Sequence, residues 1–521
     1  MAGAEDVFIG AIDQGTTSTR FIIYDRDVKP VACHQMEFTQ FYPETGWVEQ
    51  DPMEILQSVR VCMEKAVEKA TAAGRNVDAG LRAIGITNQR ETTVVWSRST
   101  GHPLYHAVVW MDSRTDDICK RLISQLPGGR THFVPSCGLA ISNCFSALKF
   151  IWLLENVDTV RDAVDSDDAM FGTIDTWLIW NLTGGCSGGV HVTDCSNAAR
   201  TMLMNLQTLE WDAATLDALG IPISILPKIV SNSETVGVIA NGWPLAKIPI
   251  SGCLGDQHAA MLGQACRKWE GKCTYSTGAF ILLNTGEHIV KSPHGLLTTV
   301  AYKLGPEAAA DYALEGSIAV AGAAVQWLRD ALGIIRTAAE VEAMAELVEN
   351  SGGVHFVPAF NGLLAPWWRD DARGVCMGIT RFTNRGHIAR AVLESICFQV
   401  NDVLTSMRKD AQANGYTDER KLVLRVDGIA TLNNLLMQIQ ADLSGMPVVR
   451  YADIETSALG AAFAAGLAIG VWTKEQIFAS RHEKKVTIFS PKLSEENRKK
   501  RNESWCKAVS RTFDLADLYS E

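Results

Sequence analysis

The sequence IGAIDQGTTSTRFIIYD, residues 9–25, contains two β-rich runs that flank a short segment of glycine and hydroxyl side chains. This pattern predicts a β-hairpin whose first strand ends at Asp13. The donors that follow are the backbone at Gly15 and the side chains of Thr16, Thr17, Ser18 and Arg20. A polyphosphate needs donors on a backbone free of bulk and a carboxylate for its cation, so this tip is a candidate phosphate site. A plain turn stays an alternative, since glycine and threonine are common turn residues.

The length of 521 residues exceeds what one hydrophobic core usually supports. We therefore expect two domains, residues 1–264 and 265–521, with the boundary just after a strand and a small-residue helix that end near residue 263. The net charge of −11 argues against nucleic acid or an anionic membrane as the main partner. An anionic substrate is still compatible, because loops and helix N-termini bind phosphate locally.

The cysteines and the apolar segments indicate a cytoplasmic protein. The chain has 13 cysteines and no CxxC pair, which favours reduced thiols over a disulfide framework or a zinc site. Residues 1–8 lack the basic and apolar parts of a signal peptide. The longest weakly polar run, residues 458–472, is too short to span a bilayer.

Strand-like and helix-like segments alternate along the chain, which indicates an α/β fold. A strand over residues 81–86 leads into a polar loop that contains Arg90 and Glu91. Apolar residues recur at every fourth position over 388–404 and predict a long amphipathic helix. Further helices are predicted over residues 145–154, 172–182 and 316–328.

Three turns share one design, in which an apolar strand is followed by an aspartate and by small or hydroxyl residues. The aspartates are Asp13, Asp256 and Asp427, and the segment 275–278 adds a similar turn without an acid. Because these turns are distributed over both halves of the chain, they suggest two domains that close on one nucleotide. Phosphoryl transfer needs this arrangement, since positioning and charge neutralisation supply nearly all of its rate.

The chain resembles the glycerol kinases of the FGGY carbohydrate-kinase family from Ile9 to about Trp472. The stretches that carry the resemblance are residues 11–20, 46–52, 85–95, 108–115, 171–178, 255–260, 274–280, 312–322, 356–366 and 424–427. The resemblance implies the two-domain α/β fold of actin, hexokinase and the seventy-kilodalton heat-shock ATPases, which is ribonuclease H-like, with a catalytic cleft between the domains. It also implies ATP-dependent phosphorylation of a terminal hydroxyl of glycerol, with Mg²⁺, by a homodimer or homotetramer.

The resemblance assigns a role to each matching residue. Asp256 would be the general base, and Asp13 and Asp256 would hold Mg²⁺. The implied nucleotide-binding residues are Thr16, Thr17, Ser18, Arg20, Thr277, Gly322, Gln326, Ile429 and Asn433. The implied glycerol-binding residues are Arg90, Glu91, Trp110, Cys144, Asp256, Gln257 and Phe280. On residue type alone, Asp256 also fits a turn or helix cap, Arg90 and Glu91 a surface ion pair, and the two aromatic residues the core.

Five residues depart from the family pattern at the site, among them Asn361 and Trp367, which stand where the family usually has serine and tyrosine. Ile429 and Ser276 stand where the family has glycines, and Cys144 stands where it has a tyrosine that contacts glycerol. A β-branched residue disfavours positive φ, so Ile429 is expected to crowd the nucleotide if the turn needs that conformation. These departures keep two alternatives open: a kinase for another small polyol or sugar, and a catalytically weakened paralogue that acts as a binding or interaction protein.

Overall fold

The computed structural model describes residues 6–416, 423–452, 454–480 and 486–516. Its strands are β1 (Phe8–Gln14), β2 (Ser18–Asp25), β3 (Pro30–Glu37), β4 (Glu49–Gln50), β5 (Leu81–Asn88), β6 (Thr93–Ser97), β7 (Ala107–Val108), β8 (Ala169–Thr173), β9 (Val192–Asp194), β10 (Lys228–Val230), β11 (Gly237–Val238), β12 (Pro249–Gly255), β13 (Gly271–Tyr275), β14 (Ala279–Gly286), β15 (Leu297–Lys303), β16 (Ala310–Ile318), β17 (His355–Val357), β18 (Val375–Met377), β19 (Leu424–Asp427), β20 (Val448–Tyr451) and β21 (Val486–Phe489).

The helices alternate with these strands. They are α1 (Pro52–Ala72), α2 (Val77–Gly80), α3 (Asp116–Gln125), α4 (Val134–Cys137), α5 (Ser146–Asn156), α6 (Asp158–Asp165), α7 (Ile174–Leu182), α8 (Cys195–Ala198), α9 (Ala213–Leu219), α10 (Asp256–Gly263), α11 (Gly322–Asp330), α12 (Glu340–Glu346), α13 (Arg385–Ala413), α14 (Asn434–Ser444), α15 (Thr456–Ala468), α16 (Lys474–Ser480) and α17 (Glu495–Val509). Among the helices of the described ranges, none is both long enough and apolar enough to cross a membrane.

The first large sheet has the strand order β11-β12-β5-β1-β2-β3. The hairpin predicted from residues 9–25 is confirmed, because β1 pairs with β2 in antiparallel fashion and Asp13 lies opposite Arg20. Strands β1, β5 and β12 are parallel to one another. Their carboxyl ends therefore meet at one edge, which is where open α/β sheets bind ligands. Asp13 near the end of β1, Arg90 in the loop after β5 and Asp256 at the start of α10 all lie at this edge.

The second large sheet has the order β15-β16-β14-β13-β19-β20-β21. Strands β13 and β19 are parallel, and Thr274 pairs with Asp427 at their carboxyl ends. The turn after β13 and the turn after β19 are consequently neighbours. The two-sheet α/β architecture with a cleft between the halves, which the sequence predicted, is confirmed.

Helices α10 and α15 cross between the two sheets. A Cβ at Gly460 in α15 would overlap the carbonyl oxygen of Ala259 in α10, so only glycine permits this approach. Helix α15 also packs on β5, because a Cβ at Gly85 would overlap the carbonyl oxygen of Ala461. Residues 456–468, although they lie in the second half of the chain, thus pack against the first sheet and connect the two halves.

The predicted helices agree with the structure in part. The amphipathic helix over 388–404 is confirmed as the central part of α13, and the helix over 145–154 is confirmed as α5. The predictions over 172–182 and 316–328 began too early, since Gly172 belongs to β8 and Gly316 to β16. Gly316 is needed inside that strand because a Cβ there would overlap the Val403 side chain of α13. Tertiary packing, which local periodicity does not report, decided these two boundaries.

Candidate active site

The hairpin tip after β1 forms a closed turn in which the Gly15 amide donates to the Ser18 carbonyl oxygen at 2.9 Å. The Thr16 hydroxyl oxygen accepts from the Trp110 indole N–H at 3.0 Å, and the Ser18 hydroxyl oxygen accepts from the Gln35 amide at 2.9 Å. Thr17 is exposed. The tip therefore combines one free hydroxyl with two that are oriented by neighbouring donors.

Asp13 lies at the base of this tip among other charged groups. Burial raises the pKa of the Asp13 carboxyl to about 7; Arg20 acts against this increase, and Glu455 and Asp256 add to it. Arg20 itself pairs with Glu455, which belongs to the second half of the chain. A carboxylate whose ionisation is opposed by burial and by nearby carboxylates is a suitable ligand for a divalent cation, because the cation would offset both effects. The carboxylate of Asp13 is the type of ligand that Mg²⁺ prefers in proteins.

Arg90 connects the two halves at the centre of the cleft. Its Nε lies 3.0 Å from Asp256 Oδ1, and its two terminal nitrogens each lie 2.9 Å from an oxygen of Glu315 in β16. Glu315 is fully buried. Burial alone would raise the pKa of the Glu315 carboxyl, but the guanidinium groups of Arg200 and Arg90 hold it well below its usual range. Glu315 thus holds the Arg90 guanidinium in place, and the Nε of Arg90 contacts Asp256, the candidate base.

Glu91 is held in a different way from its neighbour. Its Oε1 accepts from Arg200 Nε at 2.7 Å, and its backbone adopts a left-handed conformation with φ 61°. Arg90 and Glu91 are both buried and each pairs with another residue, so the surface ion pair that residue type alone allowed is wrong. Glu315 and Arg200 complete this cluster, and neither was predicted from the sequence. The signal that could have found Glu315 was an isolated acid in the apolar strand YALEGSI.

Asp256 is the first residue of α10, directly after β12. Its side chain is 31% exposed, and its Oδ1 and Oδ2 accept from the backbone and side-chain amides of Gln257 at 2.6 and 3.2 Å. The preceding Gly255 amide donates to the Ser196 hydroxyl oxygen at 3.0 Å. The carboxylate is therefore oriented on three sides and still open to the cleft. The Asp256 side chain accepts from only one backbone amide of α10, that of Gln257. Helix capping alone therefore does not explain its position.

Two aromatic residues face each other across the cleft. The rings of Trp110, from the first half, and Phe280, from the second, lie 5.8 Å apart at 73°. Both rings are only partly buried, so the alternative that they are core residues is wrong. Cys144 is half-buried nearby, and burial, with Glu91 close to it, raises the pKa of its thiol to about 12. The thiol is therefore neutral, and Cys144 presents a small side chain near Glu91.

The residues predicted to bind the nucleotide lie near the turns after β13 and β19. Thr277 is exposed at the tip of the β13–β14 hairpin, and the Gly322 amide donates to the Ser276 carbonyl oxygen at 2.9 Å. Gln326 is exposed on α11. Asn433 caps α14, since its side-chain oxygen accepts from the Leu436 amide at 2.8 Å. These residues therefore lie on or next to the two neighbouring turns of the second sheet.

The backbone strain expected at Ile429 does not occur, and crowding of the nucleotide by its side chain stays a prediction. The left-handed residue of this turn is Gly428, with φ 89°, and a Cβ there would overlap the Tyr275 carbonyl oxygen. Ile429 begins a short 3₁₀ helix outside the left-handed region, and its side chain is 73% exposed. Ser276 does not adopt positive φ either. The turn accommodates both departures without backbone strain.

The third aspartate, Asp427, has a different environment from the other two. It is buried, and its Oδ2 accepts from the Gln264 amide and the Thr456 hydroxyl, each at 2.6 Å. These donors come from the segment after α10 and from the start of α15. Asp427 therefore joins the two halves beside the site.

The fold and the cleft define a two-domain α/β kinase of the actin and hexokinase type. Residues 8–263 match the N-terminal domain of the FGGY family of carbohydrate kinases, and residues 271–469 match its C-terminal domain. The chain belongs to this family.

Known relatives extend over nearly the whole chain. A glycerol kinase from Arabidopsis thaliana is 70% identical over 517 residues, which are 99% of each protein. The crystal structure of Plasmodium falciparum glycerol kinase with ADP is similar with a TM-score of 0.88 and 37% identity, and covers 97% of this chain and 98% of that one. A gluconate kinase from Lactobacillus acidophilus has a TM-score of 0.84 at 23% identity over 99% of each chain, which shows the shared fold alone.

Proposed function

We propose that this protein is an ATP-dependent glycerol kinase, which transfers the terminal phosphoryl group of ATP to a terminal hydroxyl of glycerol and releases glycerol 3-phosphate and ADP. The observation that carries the proposal is the Asp256 carboxylate, which is open to the cleft, 3.0 Å from the fixed Arg90 guanidinium. The 70% identity to a glycerol kinase supports the choice of acceptor.

In the proposed reaction, glycerol lies between Trp110 and Phe280, with its hydroxyls near Arg90, Glu91, Cys144 and Gln257. A polyol needs both donors and acceptors, and a site built this way rejects analogues that lack a hydroxyl. Asp256 accepts the proton of the attacking hydroxyl. Its hydrogen bonds to Gln257 and its contact with Arg90 orient both carboxylate oxygens for this task.

The nucleotide would bind on the opposite side of the cleft. Its phosphates would accept from Thr16, Thr17, Ser18 and Thr277, and Arg20 would offset their charge after release from Glu455. Gly322, Gln326, Ile429 and Asn433 would surround the adenosine. Asp13 and Asp256 would hold Mg²⁺, which neutralises phosphate charge when it is bound. The domain division at residue 264, the cytoplasmic location and the homodimer or homotetramer stay predictions.

The test is glycerol-dependent ADP release by the wild type and by Asp256→Asn. The variant is expected to bind glycerol in calorimetry while kcat falls about 10²–10⁴-fold, the usual contribution of a general base. Asp117→Asn, on an exposed face of α3, is the matched control and should leave kcat unchanged. A wild-type protein without glycerol-dependent turnover would contradict the proposal.

A second candidate, a kinase for another small polyol or sugar, is favoured by one observation. Cys144 is smaller than the tyrosine of the family pattern, and its neutral thiol leaves more room beside Glu91. Comparing glycerol, dihydroxyacetone, erythritol and xylulose as acceptors separates the two candidates. The third alternative, a weakened paralogue, loses its main motive because Ile429 and Ser276 cause no backbone strain.

A further inference from the structure

Lys272 is a buried cation beside the candidate base that none of the roles above includes. It lies in β13 of the second sheet with no exposed surface. Its Nζ donates to the Gln257 side-chain oxygen, in α10 of the first half, and to the Thr274 hydroxyl oxygen at 2.8 Å. A buried ammonium group is costly unless it is hydrogen-bonded and electrically compensated, so its presence here calls for a reason.

The charges around Lys272 come from both halves of the chain. Burial lowers the pKa of its ammonium group, while the carboxylates of Asp427 and Asp256 oppose this change and Arg90 adds to it. One carboxylate oxygen of Asp427, Oδ2, accepts from Gln264 and Thr456. The direct hydrogen bonds of Lys272 in this structure are therefore to neutral acceptors, and one of these belongs to a residue that contacts Asp256.

We propose that Lys272 is a positioning residue for phosphoryl transfer, which holds the Gln257 side chain so that its amide N–H faces the Asp256 carboxylate. Gln257 has one side-chain oxygen and one side-chain NH₂, and Lys272 can only donate. The contact with Lys272 therefore decides which end of the amide turns toward Asp256 Oδ2 at 3.2 Å. Because Lys272 and Gln257 belong to different halves of the chain, the same contact also fixes the position of one half relative to the other beside Asp256.

The inference deepens the proposed glycerol kinase reaction and rests on it. A misplaced catalytic group commonly reduces the rate by about 10²-fold, so Lys272→Met should lower kcat about 10–100-fold. The KM for ATP should change little, whereas the melting temperature should fall, because the Gln257 and Thr274 oxygens lose their buried donor. A purely structural lysine would lower the melting temperature in the same way but leave kcat per folded molecule unchanged.

The decisive measurement is a double-mutant cycle on kcat with Lys272→Met, Gln257→Leu and both together. If Lys272 acts through Gln257, the double variant is as slow as the slower single variant. If the two fold-changes multiply, or if Lys272→Met has the wild-type kcat, the proposal is overturned. Lys268→Met is the matched control, because Lys268 is exposed four residues before Lys272, and it should keep the wild-type kcat.

Two further measurements cover the cases in which Lys272→Met does not fold or the wild type does not phosphorylate glycerol. If Lys272→Met does not fold, Lys272→Leu replaces it, since leucine also removes the donor to Gln257, and the same cycle applies. Glycerol-dependent ADP release by the wild type is measured first, and its absence would contradict the proposed function. The double-mutant cycle on Lys272 and Gln257 is then run with dihydroxyacetone, erythritol or xylulose, whichever the wild type phosphorylates.

Discussion

The two terminal nitrogens of Arg90 lie 2.9 Å from the two carboxylate oxygens of Glu315, which is 225 residues away in the chain. The pair is buried, and it joins the loop after β5 of the first sheet to β16 of the second. Arg200 Nη1 lies 3.2 Å from the same carboxylate. One acid thus compensates two buried cations, and one of them contacts the candidate base.

Replacing Glu315 by Gln is expected to destabilise the protein by about 3–5 kcal/mol, because Arg90 and Arg200 lose the buried carboxylate that they share and keep only one carboxylate partner each, Asp256 and Glu91. Glycerol turnover should fall as well, since Arg90 would no longer be held against Asp256. Urea denaturation gives the free energy of unfolding. Glu155→Gln, which breaks the exposed pair with Arg121, is the control and should change it by less than about 0.5 kcal/mol. Equal effects of the two substitutions would show that Glu315 is not needed for compensation.

Asp402 makes stability depend on pH. Its Oδ2 accepts from the indole N–H groups of Trp505 at 2.8 Å and Trp367 at 3.0 Å, and burial raises the pKa of its carboxyl from 3.8 to about 6. Between these values the folded state holds a proton that the unfolded state has released. The free energy of unfolding therefore falls as the pH rises from about 4 to about 6, by at most about 3 kcal/mol.

Asp402→Asn removes this titration while its side-chain oxygen can still accept from both indoles. The variant should match the wild type near pH 4 and exceed its stability near pH 7. Denaturation curves at several pH values measure the difference. Two parallel stability profiles would contradict the assignment of this pH dependence to Asp402.

The turn after β19 depends on Gly428 and not on its neighbour. Gly428→Ala should weaken ATP binding strongly, because a Cβ would overlap the Tyr275 carbonyl oxygen and the turn would have to move. Ile429→Gly should change the KM for ATP by no more than about twofold, as expected of an exposed position worth less than about 0.5 kcal/mol. A large decrease in KM for Ile429→Gly would mean that the isoleucine does crowd the nucleotide.

The crossing of α10 and α15 requires glycine at position 460. Gly460→Ala places a Cβ on the Ala259 carbonyl oxygen, and separation of the two helices should destabilise the protein by at least about 2 kcal/mol. Gly271→Ala is the control, because the nearest atom to its Cβ is the Leu282 oxygen at 3.5 Å. Its effect should be smaller than about 1 kcal/mol. Thermal or urea unfolding of both variants tests the prediction, and similar values would refute it.

Cys144 should influence which acceptor the site prefers. Cys144→Tyr adds bulk and a hydroxyl beside Glu91, so the ratio of kcat/KM for glycerol to that for erythritol should rise about tenfold, the discrimination that a change of pocket size supplies. Steady-state kinetics with both acceptors measure the ratio. An unchanged ratio would show that the residue at position 144 does not limit the space for the acceptor.

Local patterns were sufficient for the elements near the site. Alternating apolar residues around a turn predicted the β1–β2 hairpin, and a four-residue repeat predicted α13. The resemblance carried by the motifs selected residues that the structure brings together, such as Arg90, Trp110 and Asp256. Whether each of them has its implied role remains a prediction for the experiments above.

The amino-acid sequence by itself determined the strands, the turn residues and the positions of the aspartates, because these depend on neighbours a few residues apart. Only the tertiary structure decided that Glu315 compensates Arg90, that Lys272 donates to Gln257, and that Gly428 rather than Ile429 adopts the left-handed conformation. Such pairs form between strands and helices that are distant in the chain. Their geometry is set when the two sheets pack, and no local periodicity carries that information.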